Sequence, residues 1–227
     1  MTAPRPPTTA RAEVCRRIEE VGIVPVIRAA TPDLALRAAR AVLAGGISIF
    51  EITMTVPDAP AVIRALVAEL GARAVVGAGT VLDAEAATAC LDAGAAFVVS
   101  PGLDLGTVAA VQARGVPMMP GALTPTEVIA AWKSGAEMVK IFPCGSVGGP
   151  QYLRALRGPL PQVKLLPTGG VTVENAGAYL AAGAAALGIG SELVDPVALA
   201  EGRDAVLTER ARALVAAVAA ARATTAR

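Results

Sequence analysis

Short apolar runs rich in β-branched residues recur along the chain about every two dozen residues, the length of one strand–helix unit. They occupy residues 23–28, 47–52, 74–79, 96–100, 116–120, 137–142, 163–168 and 185–190. Between them lie Ala- and Leu-rich stretches of helical period that open on capping residues and close on glycine. Thr31-Pro32-Asp33 opens one stretch and Gly45-Gly46 closes it. Asp83 opens another, ended by Gly94, and Thr124-Pro125-Thr126-Glu127 opens a third, ended by Gly135. Thr172 opens a fourth, ended by Gly183. Proline just inside a helix start and glycine just past its end is the expected asymmetry. A further helix is expected near residues 12–21, before the first run, and an Ala-rich one near 205–222, after the last.

Eight strands alternating with helices predict parallel pairing, because each helix carries the chain back across the sheet. The runs are apolar throughout, as strands covered on both faces must be. The expected fold is α/β, a single-domain (β/α)8 TIM barrel, with an open doubly wound sheet as the alternative. No linker or change of composition divides the chain, so residues 12–227 read as one barrel domain. Residues 1–11, rich in Pro and Thr, read as a disordered leader without the apolar segment of a signal peptide.

Composition narrows the function. The chain has 227 residues, 54% hydrophobic, 17% charged and 3% aromatic, so small aliphatic side chains must fill the core. A net charge of +1 offers no basic field for nucleic acid and no polybasic patch for a membrane surface. No run of about 18 uninterrupted apolar residues occurs, as a spanning helix would need. Three cysteines without a CxxC pair suggest a reducing compartment, hence the cytoplasm. The chain has no histidine, which removes the Ser-His-Asp triad and most metal sites; no metal and no cofactor is expected.

In a barrel the chemistry collects at the C-terminal ends of the strands, so polar residues intruding there are informative. Lys140 is the sharpest, set in Met138-Val139-Lys140-Ile141-Phe142-Pro143 in a chain with 17 arginines and only three lysines. Burial disfavours an ammonium, and a neutral amine can attack a carbonyl. A structural ion pair is the plain alternative. Glu51, in Ile49-Phe50-Glu51-Ile52-Thr53, is the second intruder; an amine and a carboxylate are the minimum for imine chemistry. Arg28 ends the first run and Thr80 closes the third, and either could hold a small carboxylate. Thr168-Gly169-Gly170 follows the seventh run and Gly188-Ile189-Gly190-Ser191 the eighth, where barrels commonly hold phosphate on backbone N–H groups. Residues 145–149 lack the Lys-Ser/Thr ending of a P-loop and read as a substrate-side or structural loop.

Together these segments resemble the class I 2-keto-3-deoxy-6-phosphogluconate (KDPG) aldolases, which include 4-hydroxy-2-oxoglutarate (KHG) aldolases. The likeness runs over residues 23–194. It rests on Val24-Pro25-Val26-Ile27-Arg28, Glu51-Ile52-Thr53, Gly77-Ala78-Gly79-Thr80-Val81, Ser100-Pro101-Gly102, Met119-Pro120-Gly121, Lys140-Ile141-Phe142-Pro143, Pro167-Thr168-Gly169-Gly170 and Gly188-Ile189-Gly190-Ser191. The resemblance implies a carbon–carbon lyase with Lys140 as the imine lysine and Glu51 as the acid–base. It implies Gly169, Gly170, Gly190 and Ser191 at a phosphate, and Thr55, Pro101, Phe142 and Thr168 about the substrate. It also implies a homotrimer acting on a small phosphorylated 2-keto acid. Some members follow the Glu-x-Thr segment with a substrate-contacting arginine, where this chain has Thr55. Others carry an arginine at the end of the first strand, so Arg28, with Thr80, is expected at the pyruvate carboxylate. The galactonate-derived epimer as main substrate, a phosphate-binding barrel isomerase or epimerase, and a catalytically inactive barrel remain as rival readings.

Overall fold

The computed structural model describes residues 9–225. Nine short strands alternate with ten α-helices. The strands are β1 (Ile23–Ile27), β2 (Ile49–Thr53), β3 (Val75–Gly79), β4 (Val98–Val99), β5 (Met118–Met119), β6 (Gly121–Ala122), β7 (Val139–Ile141), β8 (Leu165–Pro167) and β9 (Leu187–Ile189). The helices are α1 (Thr9–Val21), α2 (Pro32–Ala44), α3 (Ala59–Leu70), α4 (Ala84–Asp92), α5 (Leu105–Ala113), α6 (Pro125–Lys133), α7 (Pro150–Arg157), α8 (Ala176–Ala181), α9 (Pro196–Ala200) and α10 (Asp204–Thr225).

All strand pairs are parallel, as the alternation predicts. The ladder is not one unbroken ring of eight. It forms a six-stranded sheet, β5-β4-β3-β2-β1-β9, and a three-stranded sheet, β6-β7-β8. The fifth expected strand is cut at Pro120, which has no N–H to donate and so separates β5 from β6. Strands β8 and β9 meet through isolated bridges, Leu165 with Ala184 and Thr168 with Gly188.

The helices start where the caps predict, with one exception. The Thr31 hydroxyl accepts from Leu34 N, the Asp83 carboxylate from Ala86 N, and Thr124 with Glu127 forms a reciprocal capping box. The exception is Thr172. Its N–H donates to Asn175 Oδ1 while its hydroxyl accepts from Asn175 N, making a turn that delays α8 to Ala176. The first helix begins at Thr9 rather than Ala12, so the end of the expected leader is helical, and residues 1–8 lie outside those described. No helix among the described residues is long and apolar enough to cross a membrane.

Strand residues alternate between two apolar clusters. Ile23, Phe50, Ile52, Val76, Ala78, Val139, Ile141 and Leu187 pack against the helices. The other parity supplies Val24, Ile49, Val75, Phe97, Val99, Met119, Met138, Leu166 and Ala186, joined by Ile18 of α1. This second cluster draws on strands of both sheets. Fully burying such a side chain contributes about 1.5–3 kcal/mol, so both faces hold the strands in register. Continuing the same parity toward the strand ends places Val26, Glu51, Gly77, Gly121, Lys140, Thr168 and Gly188 in the next layer. That layer carries the two charged side chains.

Candidate active site

Lys140 lies on β7 between Gly121 and Leu166, and Glu51 on β2 between Val26 and Gly77. Their side chains are 3% and 1% exposed, and Lys140 Nζ stands 3.7 Å from Glu51 Oε1. Glu51 Oε1 has no hydrogen-bond partner among the described residues. A buried carboxylate oxygen without a hydrogen bond carries a cost that packing alone does not repay, which makes Glu51 a candidate for chemistry. The ring of Phe142, two residues along from Lys140, has its centroid 5.3 Å from Nζ, close enough for its π face to attract a cation there.

Glycine makes the room. A Cβ on Gly79 would fall 2.0 Å from Glu51 Oε1 and 2.3 Å from its Cγ. A Cβ on Gly188 would lie 2.1 Å from the Thr168 hydroxyl oxygen, and one on Gly121 2.1 Å from the Pro101 carbonyl oxygen. Thr80 follows Gly79 with φ +57, a left-handed conformation that a β-branched residue seldom adopts. Strain of this kind gathers at functional sites.

A cavity of about 300 Å³ opens beside the pair. Of the residues singled out from sequence, Arg28, Phe142, Thr168, Gly169, Gly170, Gly190 and Ser191 all line it. Phe142 is the link, since its ring lines the cavity and also faces Lys140 Nζ. Lys140 and Glu51 themselves, with Thr55, Thr80 and Pro101, are not among its lining residues. Thr55 is exposed, and its hydroxyl is 2.7 Å from that of buried Thr53, which donates to the Ile27 carbonyl beside Arg28. The Gly145–Val147 turn packs on the glycine loop, with Gly145 N donating to Gly169 O.

Sequence reasoning missed Val26, Val171, Glu192, Val194 and Pro196 as lining residues, and it took Gly188 only with the rest of its glycine segment. Counting strand parity from Ala186 would have singled out Gly188. Glu192 carried a signal too, as a charge directly after Gly188-Ile189-Gly190-Ser191. Cys144, four residues from Lys140, is buried, and burial pushes its thiol up to about 11. It is therefore protonated near neutral pH and a poor nucleophile.

A family model described as KDPG and KHG aldolase matches residues 14–208. The 2-dehydro-3-deoxy-6-phosphogalactonate aldolase of Escherichia coli (strain K12) is 37% identical over 172 residues, 75% of this chain and 83% of that protein. The KHG/KDPG aldolase of the same organism is 36% identical over 193 residues, 85% of this chain and 90% of that protein. Among solved structures, the KDPG aldolase of Legionella pneumophila, with pyruvate captured at low pH as a covalent carbinolamine intermediate, superposes with a TM-score of 0.82 at 31% identity. That superposition covers 88% of this chain and 97% of the Legionella chain.

Proposed function

This chain belongs to the KDPG and KHG aldolase family and is an aldolase, a carbon–carbon lyase, and from that premise we propose that it cleaves 2-keto-3-deoxy-6-phosphogluconate through an imine on Lys140. The observation that carries the reading is the buried Lys140–Glu51 pair, 3.7 Å apart beside a cavity that opens onto glycine loops.

The Lys140 amine adds to the C2 ketone of the substrate and expels water, giving a cationic imine. That cation accepts the electron pair of the breaking C3–C4 bond. The face of Phe142 lies where it can stabilise the positive charge. Glu51 takes the C4 hydroxyl proton, and glyceraldehyde 3-phosphate leaves. The enamine is then protonated at C3, and water hydrolyses the imine to release pyruvate and the free amine. Among the described residues Arg28 is the only cation lining the cavity and suits the substrate carboxylate, and we assign Thr80, next to Gly79 and outside that lining, as its second anchor. The N–H groups of Gly169, Gly170, Gly190 and Ser191 suit the distal phosphate.

The relatives' names include phosphogalactonate and KHG substrates, so the galactonate epimer and 4-hydroxy-2-oxoglutarate belong in the same assay panel. We read the two sheets as arcs of one closed (β/α)8 barrel: the bridges join β8 to β9, the chain runs on through Pro120, and one inner cluster spans both arcs. We also assign a homotrimer, which sedimentation equilibrium would check, and a cytoplasmic location, in keeping with three free buried cysteines.

The test is to incubate the protein with pyruvate and borohydride and locate the added mass by peptide mass spectrometry. A stable adduct on Lys140 is expected. Folded protein that gains no adduct, or gains one elsewhere, overturns the mechanism.

A further inference from the structure

The cavity that holds the glycine loops has an unexpected wall. Glu192 lines it, one residue past Ser191, and is the only carboxylate among the described residues to do so. Its side chain is exposed and takes part in no ion pair among the described residues. Arg210 meets this segment through other atoms: it donates to the carbonyls of Ser191 and Glu192 and to the Asp195 carboxylate, 3.0 Å away. Among the described residues Arg28 is the one cation on the lining, so its charge and that of Glu192 cancel. A site selected only to hold a dianion would not keep an unpaired negative charge beside the N–H groups that bind it, because like charges at close range raise the cost of binding.

We propose that Glu192 is a specificity-determining residue that compresses the enzyme's preference for a phosphorylated tail, so that the site also accepts an unphosphorylated 2-keto-3-deoxy sugar acid. This inference rests on the aldolase reading above. The carboxylate opposes a phosphate held at Gly169, Gly170, Gly190 and Ser191, and it accepts a hydrogen bond from a terminal hydroxyl. The two substrates share the same reacting end, and Arg28 meets the same carboxylate in both. Their ratio of kcat/KM therefore isolates the distal group.

The experiment measures kcat/KM for 2-keto-3-deoxy-6-phosphogluconate and for its unphosphorylated six-carbon counterpart in the wild type, Glu192→Gln and Glu192→Lys. The phosphorylated-to-unphosphorylated ratio is expected to rise about three- to tenfold in Glu192→Gln, as one exposed charge is removed. It should rise further in Glu192→Lys. Added salt should raise the ratio in the wild type and lower it in Glu192→Lys, because screening weakens repulsion and attraction alike. A ratio that stays put in both variants, or falls, overturns the proposal while leaving the aldolase intact. Wild-type protein that forms no pyruvate adduct and cleaves neither substrate overturns the aldolase reading, and this inference with it.

Discussion

The amine of Lys140 and the carboxylate of Glu51 come together because β2 and β7 both turn the same parity inward, and because glycine at position 79 leaves the carboxylate its space. Lys140→Ala should abolish both cleavage and the borohydride-trapped adduct; an adduct that persists would move the imine to another residue. Gly79→Ala tests the close approach. The new methyl must displace Glu51, so turnover should fall by about tenfold or more, and overpacking should cost about 1–3 kcal/mol of stability. Unchanged kcat in a stably folded variant would show that Glu51 is not held in place by that glycine. Arg28→Ala should raise KM roughly 10- to 100-fold, the value of a charge-assisted hydrogen bond, with a smaller effect on kcat. Intact KM would remove Arg28 from the carboxylate. Both proposed catalytic residues were legible in sequence as charges inside apolar strands. Their 3.7 Å approach was not, because it depends on register across strands distant in the chain.

Elements were legible wherever local chemistry decides them. Thr31, Asp83 and Thr124 cap helices as their sequence patterns predict, since a cap needs only its own next few residues. Thr172 fails as a cap because Asn175 competes for the same turn, and Pro120 cuts a strand that apolarity alone would run through. At α6, Glu127 accepts from the backbone N–H groups of Thr124 and Leu123, and these bonds hold its carboxyl below the usual range. A depressed carboxyl adds stability that is full above its unfolded value, near about 4.3, and is lost as pH falls through the lower folded value. The stability difference between the wild type and Glu127→Ala should therefore be largest at neutral pH and shrink in acid. Chemical denaturation at several pH values reads this directly, and a difference that grows in acid would contradict it. Thr124→Ala should cost about 1 kcal/mol with activity retained.

At the scale of the whole molecule, the strand–helix alternation and parallel pairing were evident from hydrophobic period alone. The partition into two hydrogen-bonded arcs was not, because apolar patterning says nothing of which backbone groups pair at Pro120 or between β8 and β9. Packing also shields the thiols. Cys15, Cys90 and Cys144 are free and buried, and burial pushes each up to about 11. At pH 8 a thiol-exchange dye should label native protein slowly and all three cysteines at once in guanidinium. A fast-reacting thiol in native protein would expose a looser interior. The pairing of β1 with β9 has a consequence for biosynthesis. Strand β1 is made well before β9, one of its two neighbours, with seven strands between them in the chain. At about 5–20 residues per second, its open edge waits on the order of ten seconds or more for that neighbour to emerge. The nascent chain thus carries an unsatisfied strand edge while the seven intervening strands are made, and a chaperone that covers β1 until Ile189 appears would raise the yield of folded enzyme.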